Sequence, residues 1–295
     1  MVYGLGQAGR CVMVCASLRR SAVASGGVWA FYAVSHIKER RVMGFADFKV
    51  RMLSGERLLG TFVKTPSVEM VELLALAGLD FICLDAEHAP FDRMRLDACL
   101  AVARALDLPT LVRVPSGNPD DILKVMDAGA VGIVVPHVDT AEKARAVSKA
   151  ARFGHGGRGF AGSTRWAGYA TRSMAEVLAQ SKSETVVIVQ IEEPEAVEAI
   201  DDIAGAAGVD GVFIGPADLS VSYGETSTDN DHLRQAMTRV GDAACGAGVA
   251  YCTWVPDAQT AKAVGSYGFT LFVIGSEHAW MLAGARAAVA SMNSE

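Results

Sequence analysis

From residue 58 onward the chain alternates between two patterns. Short, unbroken apolar runs give way to stretches whose apolar positions recur every three or four residues. The runs are "LLGTFVKT", "DFICLDAE", "PTLVRVP", "GIVVPHV", "TVVIVQIE", "GVFIGPADLS", "VAYCTWVP" and "FTLFVIGSE". Continuous apolar character over so few residues predicts strands buried on both faces, as parallel strands are. The intervening stretches predict helices. "SVEMVELLALAG" carries Ser67 as its N-cap and Gly78 at its end, and "PEAVEAIDDIAGAAG" reads as one helix. A glycine-rich loop, "GHGGRGFAGSTRWAGYA", interrupts the alternation once. Eight strand–helix units joined by right-handed crossovers imply a closed (β/α)8 TIM barrel of the α/β class. A doubly wound open sheet is the rival architecture. Against it, no GxGxxG follows the first strand.

Residues 1–42 lack this rhythm. They hold Arg10, Arg19, Arg20, Lys38, Arg40 and Arg41 against the one acid Glu39, with no clean signal-peptide core. "MGFADFKVRMLSGERLLGTF", opening at Met43, already reads as a helix followed by a strand. The reading therefore assigns 1–42 to a non-native or unstructured extension and 43–295 to the barrel. The net charge of −6 offers no basic face to nucleic acid or an anionic membrane, and no apolar run is long enough to span a bilayer. Six cysteines without a CxxC pair, several inside apolar segments, predict buried free thiols in a reducing, cytoplasmic setting.

In a barrel of this kind chemistry gathers at the C-terminal ends of the strands. Those ends carry Lys64, Asp85, Glu87 and His88, Arg113, His137, Gln190 and Glu192, Asp218, and Glu277 with His278. Any one of them is explained by a solvated strand end; their convergence is not. Glu192 and Asp218 end adjacent strands, which lie about 4.8 Å apart, so the two carboxylates can share one cation. An all-oxygen donor set favours Mg²⁺ or Mn²⁺, with Co²⁺ as a further candidate. The alternative is a pair of salt-bridged strand-end acids. In "GPADLS" the amides of Gly215 and Ala217 are candidates for binding a carboxylate, Pro216 having no amide hydrogen; otherwise the segment is an ordinary turn. Arg113 stays charged and can hold an enolate oxygen or a carboxylate. His88 can act as a base near neutral pH if something orients it. Asp127 is the candidate orienter, although it falls at a helix end, away from its own strand ends.

Together "GTFVKTPS", "LDAEHAP", "LVRVP", "QIE" and "VDGVFIGPADLS" resemble the HpcH/HpaI aldolase family, the metal-dependent class II pyruvate aldolases, over about residues 45–290. The resemblance implies Glu192 and Asp218 as metal ligands and Arg113 as the residue that meets pyruvate's oxygen. Gln190, Gly215 and Ala217 would join Arg113 in substrate binding. It implies His88 as a base acting through a water, Asp85 as support of its network, and Asp127 as the dyad partner supplied by a neighbouring subunit. It further implies a homo-oligomer, a hexamer, with the last helix exchanged between paired barrels. The implied reaction is reversible cleavage of a 4-hydroxy-2-oxo acid to pyruvate and an aldehyde. Three rivals remain: a citrate synthase-like or citryl-thioester lyase-like enzyme, a Schiff-base aldolase using Lys64, and a non-catalytic ketoacid-binding protein. His137, Arg158, Arg165, Trp166 and Trp254 are candidate aldehyde contacts, each with an ordinary loop or packing role as the alternative. If the extension is dispensable, a chain beginning at Met43 folds and turns over like the full one. An insoluble or inactive truncation would show that residues 1–42 are needed.

Overall fold

The computed structural model describes residues 44–293. The extension and the expected start at Met43 lie outside the described residues. Eight parallel strands close in sequence order, β1 through β8, into one barrel. They are β1 (Leu58–Val63), β2 (Phe81–Asp85), β3 (Thr110–Arg113), β4 (Gly132–Val135), β5 (Val186–Ile191), β6 (Gly211–Ile214), β7 (Ala250–Val255) and β8 (Leu271–Ser276). Each predicted strand is present. Each ends close to the first polar residue of its tail: Asp85, Arg113 and Gln190 still belong to the ladder, while Lys64, His88, His137, Glu192 and Glu277 follow it. In the sixth segment the tail "PADLS" is helical rather than extended.

The helices follow their strands. They are α1 (Phe45–Leu53), α2 (Val68–Leu76), α3 (Arg93–Ala105), α4 (Pro119–Ala128), α5 (Ala141–Ala150), α6 (Met174–Glu184), α7 (Pro194–Glu198), α8 (Ile200–Ala204), α9 (Pro216–Ser222), α10 (Asp231–Ala247), α11 (Ala258–Ala263) and α12 (Glu277–Asn293). The single helix expected over "PEAVEAIDDIAGAAG" is broken at Ala199, which caps both α7 and α8. Ser67 occupies the N-cap of α2 but makes no capping bond to the backbone; its hydroxyl donates to Glu69 instead. Gly78, at φ 76°, supplies the left-handed turn that ends that helix segment. Among the described residues, no helix is long and apolar enough to cross a membrane.

Strand alternation sorts the core into two parts. Outward-facing Ile82, Leu84, Val112, Val187 and Val189 pack against the helices, while Cys83, Leu111, Ile188, Phe213, Cys252 and Val273 fill the barrel. Phe45, Phe48 and Met52 of α1 belong to the inner cluster and close the barrel's N-terminal end; the Phe48 and Phe81 rings lie 5.6 Å apart. The same alternation aims Asp85, Arg113 and Gln190 inward, since they follow Cys83, Leu111 and Ile188 by two residues. Cys83, Cys99 and Cys252 are buried free thiols as expected; Cys245, on the outer face of α10, is exposed.

Where β4 meets β5, a Cβ on Gly132 would stand 2.2 Å from the Val186 carbonyl oxygen. Gly132→Ala must therefore push two paired strands apart and should lower stability by about 1–3 kcal/mol. Gly246 lies in α10 with nothing near its missing Cβ. Gly246→Ala should raise stability by a few tenths to about 1 kcal/mol. Urea denaturation of both variants checks the pair.

Candidate active site

The inward-facing strand ends converge on a cavity of about 240 Å³ at the barrel mouth, lined among others by Lys64, His88, Arg113, Gln190, Asp218 and Trp254. Asp85 and Arg113 are register partners on β2 and β3. The Arg113 Nε and Nη2 donate to the two Asp85 oxygens at 2.9 and 2.8 Å. The guanidinium also lies 4.4 Å from the centroid of the Phe62 ring. Asp85 is completely buried, and receives the His88 amide at 3.2 Å and the Lys64 Nζ at 3.4 Å as well. Burial alone would raise the Asp85 carboxyl, but the hydrogen bonds and charge of Arg113 hold it below its ordinary value. Burial opposes the charge on Arg113 too, and Asp85 and Glu87 more than restore it.

Across the mouth stand the acids. Glu192 follows Gln190 at the end of β5, and Gln190 Nε2 donates to its Oε1. The His137 amide donates to Glu192 Oε2 at 3.1 Å, from a backbone held at φ 55°. A non-glycine residue in this region is uncommon, and here the turn aims a peptide N–H at a buried carboxylate. Gly215 defines the remaining geometry. A Cβ there would lie 3.3 Å from Glu192 Cγ, 3.4 Å from Asp218 Oδ2 and 3.4 Å from Gln190 Nε2. The three groups thus ring one small cradle, which a side chain on residue 215 would crowd. The Gly215 amide itself is spent on the Ile191 carbonyl, at 3.2 Å. That departs from its expected role as a substrate donor and leaves Ala217, in the first turn of α9, as the open amide of the pair.

Only 4% of Glu192 is exposed, and burial foremost pushes its carboxyl up to about 7. Asp218 and Glu87 add to that rise, and His137 opposes it. Gln190 Oε1 is buried without a hydrogen-bond partner, whereas Glu87 Oε2 is held by its ion pair with Arg113 Nε at 3.2 Å. Crowded carboxylates, an open cradle and the spare Gln190 oxygen fit a hard divalent cation at Glu192 and Asp218. His137, Glu192 and Glu193 also bring one ligand atom each within 4.8 Å of one another. There the imidazole Nδ1 is 2.7 Å from Glu193 and 3.2 Å from Glu192, and the Glu193 hydrogen bond in the first place raises the His137 pKa.

Sequence reasoning named Glu87 without a role and passed over Glu193. Glu87 lies 3.2 Å from Arg113 Nε and 3.8 Å from both the His88 and the His137 ring nitrogens, so it ties the two sides of the mouth together. The doubled acid in "QIEEP" was the one available signal for Glu193. Glu277, at the end of β8, is a structural clasp: its Oε1 accepts the amides of Lys64 and Thr65 at 2.7 and 2.6 Å. His278 meets the Thr65 hydroxyl at 2.9 Å. Of the aldehyde candidates, Trp254 lines the cavity, and His137 contacts Glu192 but lines a different cavity. Arg165 pairs with Asp97, and Trp166 is buried against Phe153, so neither reaches this chain's own mouth. Arg158 and Asp127 pair with each other, and Asp127 lines a different cavity, beside α3 and α4.

Comparison with known proteins agrees with this geometry. The HpcH/HpaI aldolase/citrate lyase family model matches residues 58–283. A hydroxypyruvate/pyruvate aldolase of Paraburkholderia phytofirmans is 32% identical over 255 residues, covering 83% of this chain and 97% of that protein. Among solved structures, an HpcH/HpaI aldolase/citrate lyase family protein of Burkholderia cenocepacia superposes with a TM-score of 0.80 at 32% identity. That match covers 84% of this chain and all of the other. The citrate synthase SbnG follows with a TM-score of 0.74 at 28% identity, covering 83% of this chain and 96% of that one. The match runs from the first strand of the barrel into its last helix, and the chain belongs to the HpcH/HpaI aldolase/citrate lyase family.

Proposed function

We propose that this chain is a divalent-cation-dependent pyruvate aldolase that reversibly cleaves a 4-hydroxy-2-oxo acid into pyruvate and an aldehyde. The observation that carries the reading is the opposition at one cavity of Arg113, locked by Asp85, and the Glu192–Asp218 cradle around Gly215. Glu192 and Asp218 would hold Mg²⁺ or Mn²⁺, with Co²⁺ as an alternative. When bound, such a cation supplies Lewis-acid polarisation of the ketoacid. Arg113 meets the oxygen on which charge develops as the C3–C4 bond breaks, and its pairing with Asp85 means it need not reorient at that moment. Gln190 and the Ala217 amide orient the acid's carboxylate end. His88, with its side chain 58% exposed at the rim, takes the proton of the 4-hydroxyl through a water during cleavage. In the synthetic direction it removes a proton from the pyruvate methyl group.

Asp127 supports a role between subunits. It lines a cavity other than the one that holds His88, so it serves the base of a neighbouring copy rather than its own. α12 supports assembly as well. Its one buried residue is Glu277, and Trp280, Met281, Leu282, Val289 and Met292 are exposed along it. A helix so apolar on its open surface fits exchange between paired barrels in a homo-hexamer. The buried thiols fit a cytoplasmic location. The likeness to the citrate synthase SbnG favours one second reading, in which oxaloacetate or a thioester replaces the simple aldehyde. Lys64, paired with Asp85 at 3.4 Å, is a poor Schiff-base nucleophile, and borohydride with pyruvate should trap nothing.

Turnover of an aldehyde panel with pyruvate and Mg²⁺ or Mn²⁺ tests the reaction. Activity confined to oxaloacetate or a thioester would favour the second reading. Chelation should abolish turnover until the cation is restored, and Glu192→Gln or Asp218→Asn should remove activity with little change in Tm. Full activity in strong chelator would refute the metal site. Because the Glu192 carboxyl titrates at about 7, a cation must displace its proton below that pH. Mn²⁺ affinity should fall by about tenfold per pH unit below 7 and level off above it, as titration calorimetry can read. His88→Ala should slow turnover by about 10²–10⁴-fold, and Asp127→Asn should mimic it. Mixed oligomers of the two variants, verified by mass, should regain part of the activity; verified mixtures without rescue would exclude a shared dyad.

A further inference from the structure

Arg158 has no access to solvent, although it carries a permanent charge and sits in a glycine-rich surface loop. Its guanidinium carbon lies 4.4 Å from the centroid of the Phe153 ring and 4.9 Å from that of Trp166. Those two rings meet edge to face, 5.7 Å apart, and Phe160 packs on Phe153. An aromatic box therefore holds the cation rigidly. Its hydrogen bonds go to one residue. Nε and Nη2 donate at 3.1 and 2.5 Å, both to Oδ1 of Asp127, and Nη1 is buried with no partner. The same loop grips the Asp127 backbone, where the Trp166 amide donates to its carbonyl at 3.3 Å.

This is not how a guanidinium neutralises a carboxylate when charge balance is the sole concern. The neighbouring pair Arg165–Asp97 shows the usual fork, with Nη1 on Oδ1 and Nη2 on Oδ2, both at 3.0 Å. Arg158 puts two donors on one oxygen and leaves Oδ2 of Asp127 without a hydrogen bond among the described residues. Asp127 is 27% exposed and lines a cavity of about 680 Å³, so the spare oxygen is open to an incoming donor.

We propose that Arg158 is the positioning residue for Asp127. It fixes the rotamer of the carboxylate, so that Oδ2 is presented to the imidazole N–H of His88 from a neighbouring copy of the chain. The inference rests on the intersubunit dyad proposed above and adds to it the residue that makes the dyad competent. Arg158 touches neither substrate nor cation. It acts through Asp127, as outer partners of catalytic groups do.

A double-mutant cycle on the full-length oligomer tests it. Arg158→Met keeps the length of the side chain between the two rings and removes every N–H. It should lower kcat by about 10–100-fold, with KM for the ketoacid changed less than twofold. Arg158→Lys, which retains charge but not the planar fork, should fall between Met and wild type. Combined with Asp127→Asn, either substitution should cost nothing further in kcat. A loop that merely holds the barrel together would instead lower Tm and add its loss to that of Asp127→Asn. If Arg158→Met does not fold, the Lys variant and its double mutant carry the same comparison. Wild-type kcat in Arg158→Met, alongside a slow Asp127→Asn, would overturn the inference while sparing the dyad. So would losses that multiply in the double mutant. Full activity of Asp127→Asn itself would remove the dyad and this role together.

Discussion

The ion pair between Asp85 and Arg113 is the interaction on which the mouth of the barrel depends. Both side chains are buried at the ends of adjacent strands, in register, and neither could stay there ionised without the other. Removing one partner of such a pair leaves a buried charge uncompensated, at a cost of about 3–5 kcal/mol. The pairing orients Arg113 across the Phe62 ring, draws in Lys64 and receives the His88 amide. One carboxylate thus fixes the positions of a cavity-lining guanidinium, a rim ammonium and the backbone beneath His88.

Opposite this pair the protein concentrates negative charge that it only partly satisfies. Glu192, Asp218 and Glu193 crowd one side of the mouth, Glu87 reaches towards them from beside Arg113, and the His137 amide and ring offset a fraction of their charge. Burial without full compensation drives the Glu192 carboxyl towards neutrality. A site of this kind gains most from a divalent cation, because the same desolvation that penalises the free carboxylates strengthens their attraction for it.

A second ordered ion pair lies outside the barrel mouth. The glycine-rich loop after α5 encloses Arg158 between aromatic rings and turns the guanidinium on Asp127. The glycines bend that loop tightly: Gly154, Gly156 and Gly168 all adopt positive φ. Local backbone freedom and a rigid aromatic box together hold the Asp127 carboxylate at a cavity separate from the barrel mouth.

The chain's own order of residues determined much of this. Eight buried strands, their helices and the closing of the barrel followed from apolar runs and periodicity, since a parallel strand must be apolar on both faces wherever it sits. The strand-end residues Asp85, His88, Arg113, Gln190, Glu192 and Asp218 were legible too, because each stands where an apolar run stops. Tertiary structure decided the rest. Which strand ends face inward depends on the phase of the alternation at closure, and that phase set Asp85 against Arg113. The Gly215 amide was lost to Ile191 through strand pairing, and the α7–α8 helix broke at Ala199, both under packing that no local pattern encodes. Glu193 met His137, and Arg158 met Asp127, across 56 and 31 residues of chain. Contacts at such separations are made by the fold after local preferences are satisfied, so spacing along the sequence carries no record of them.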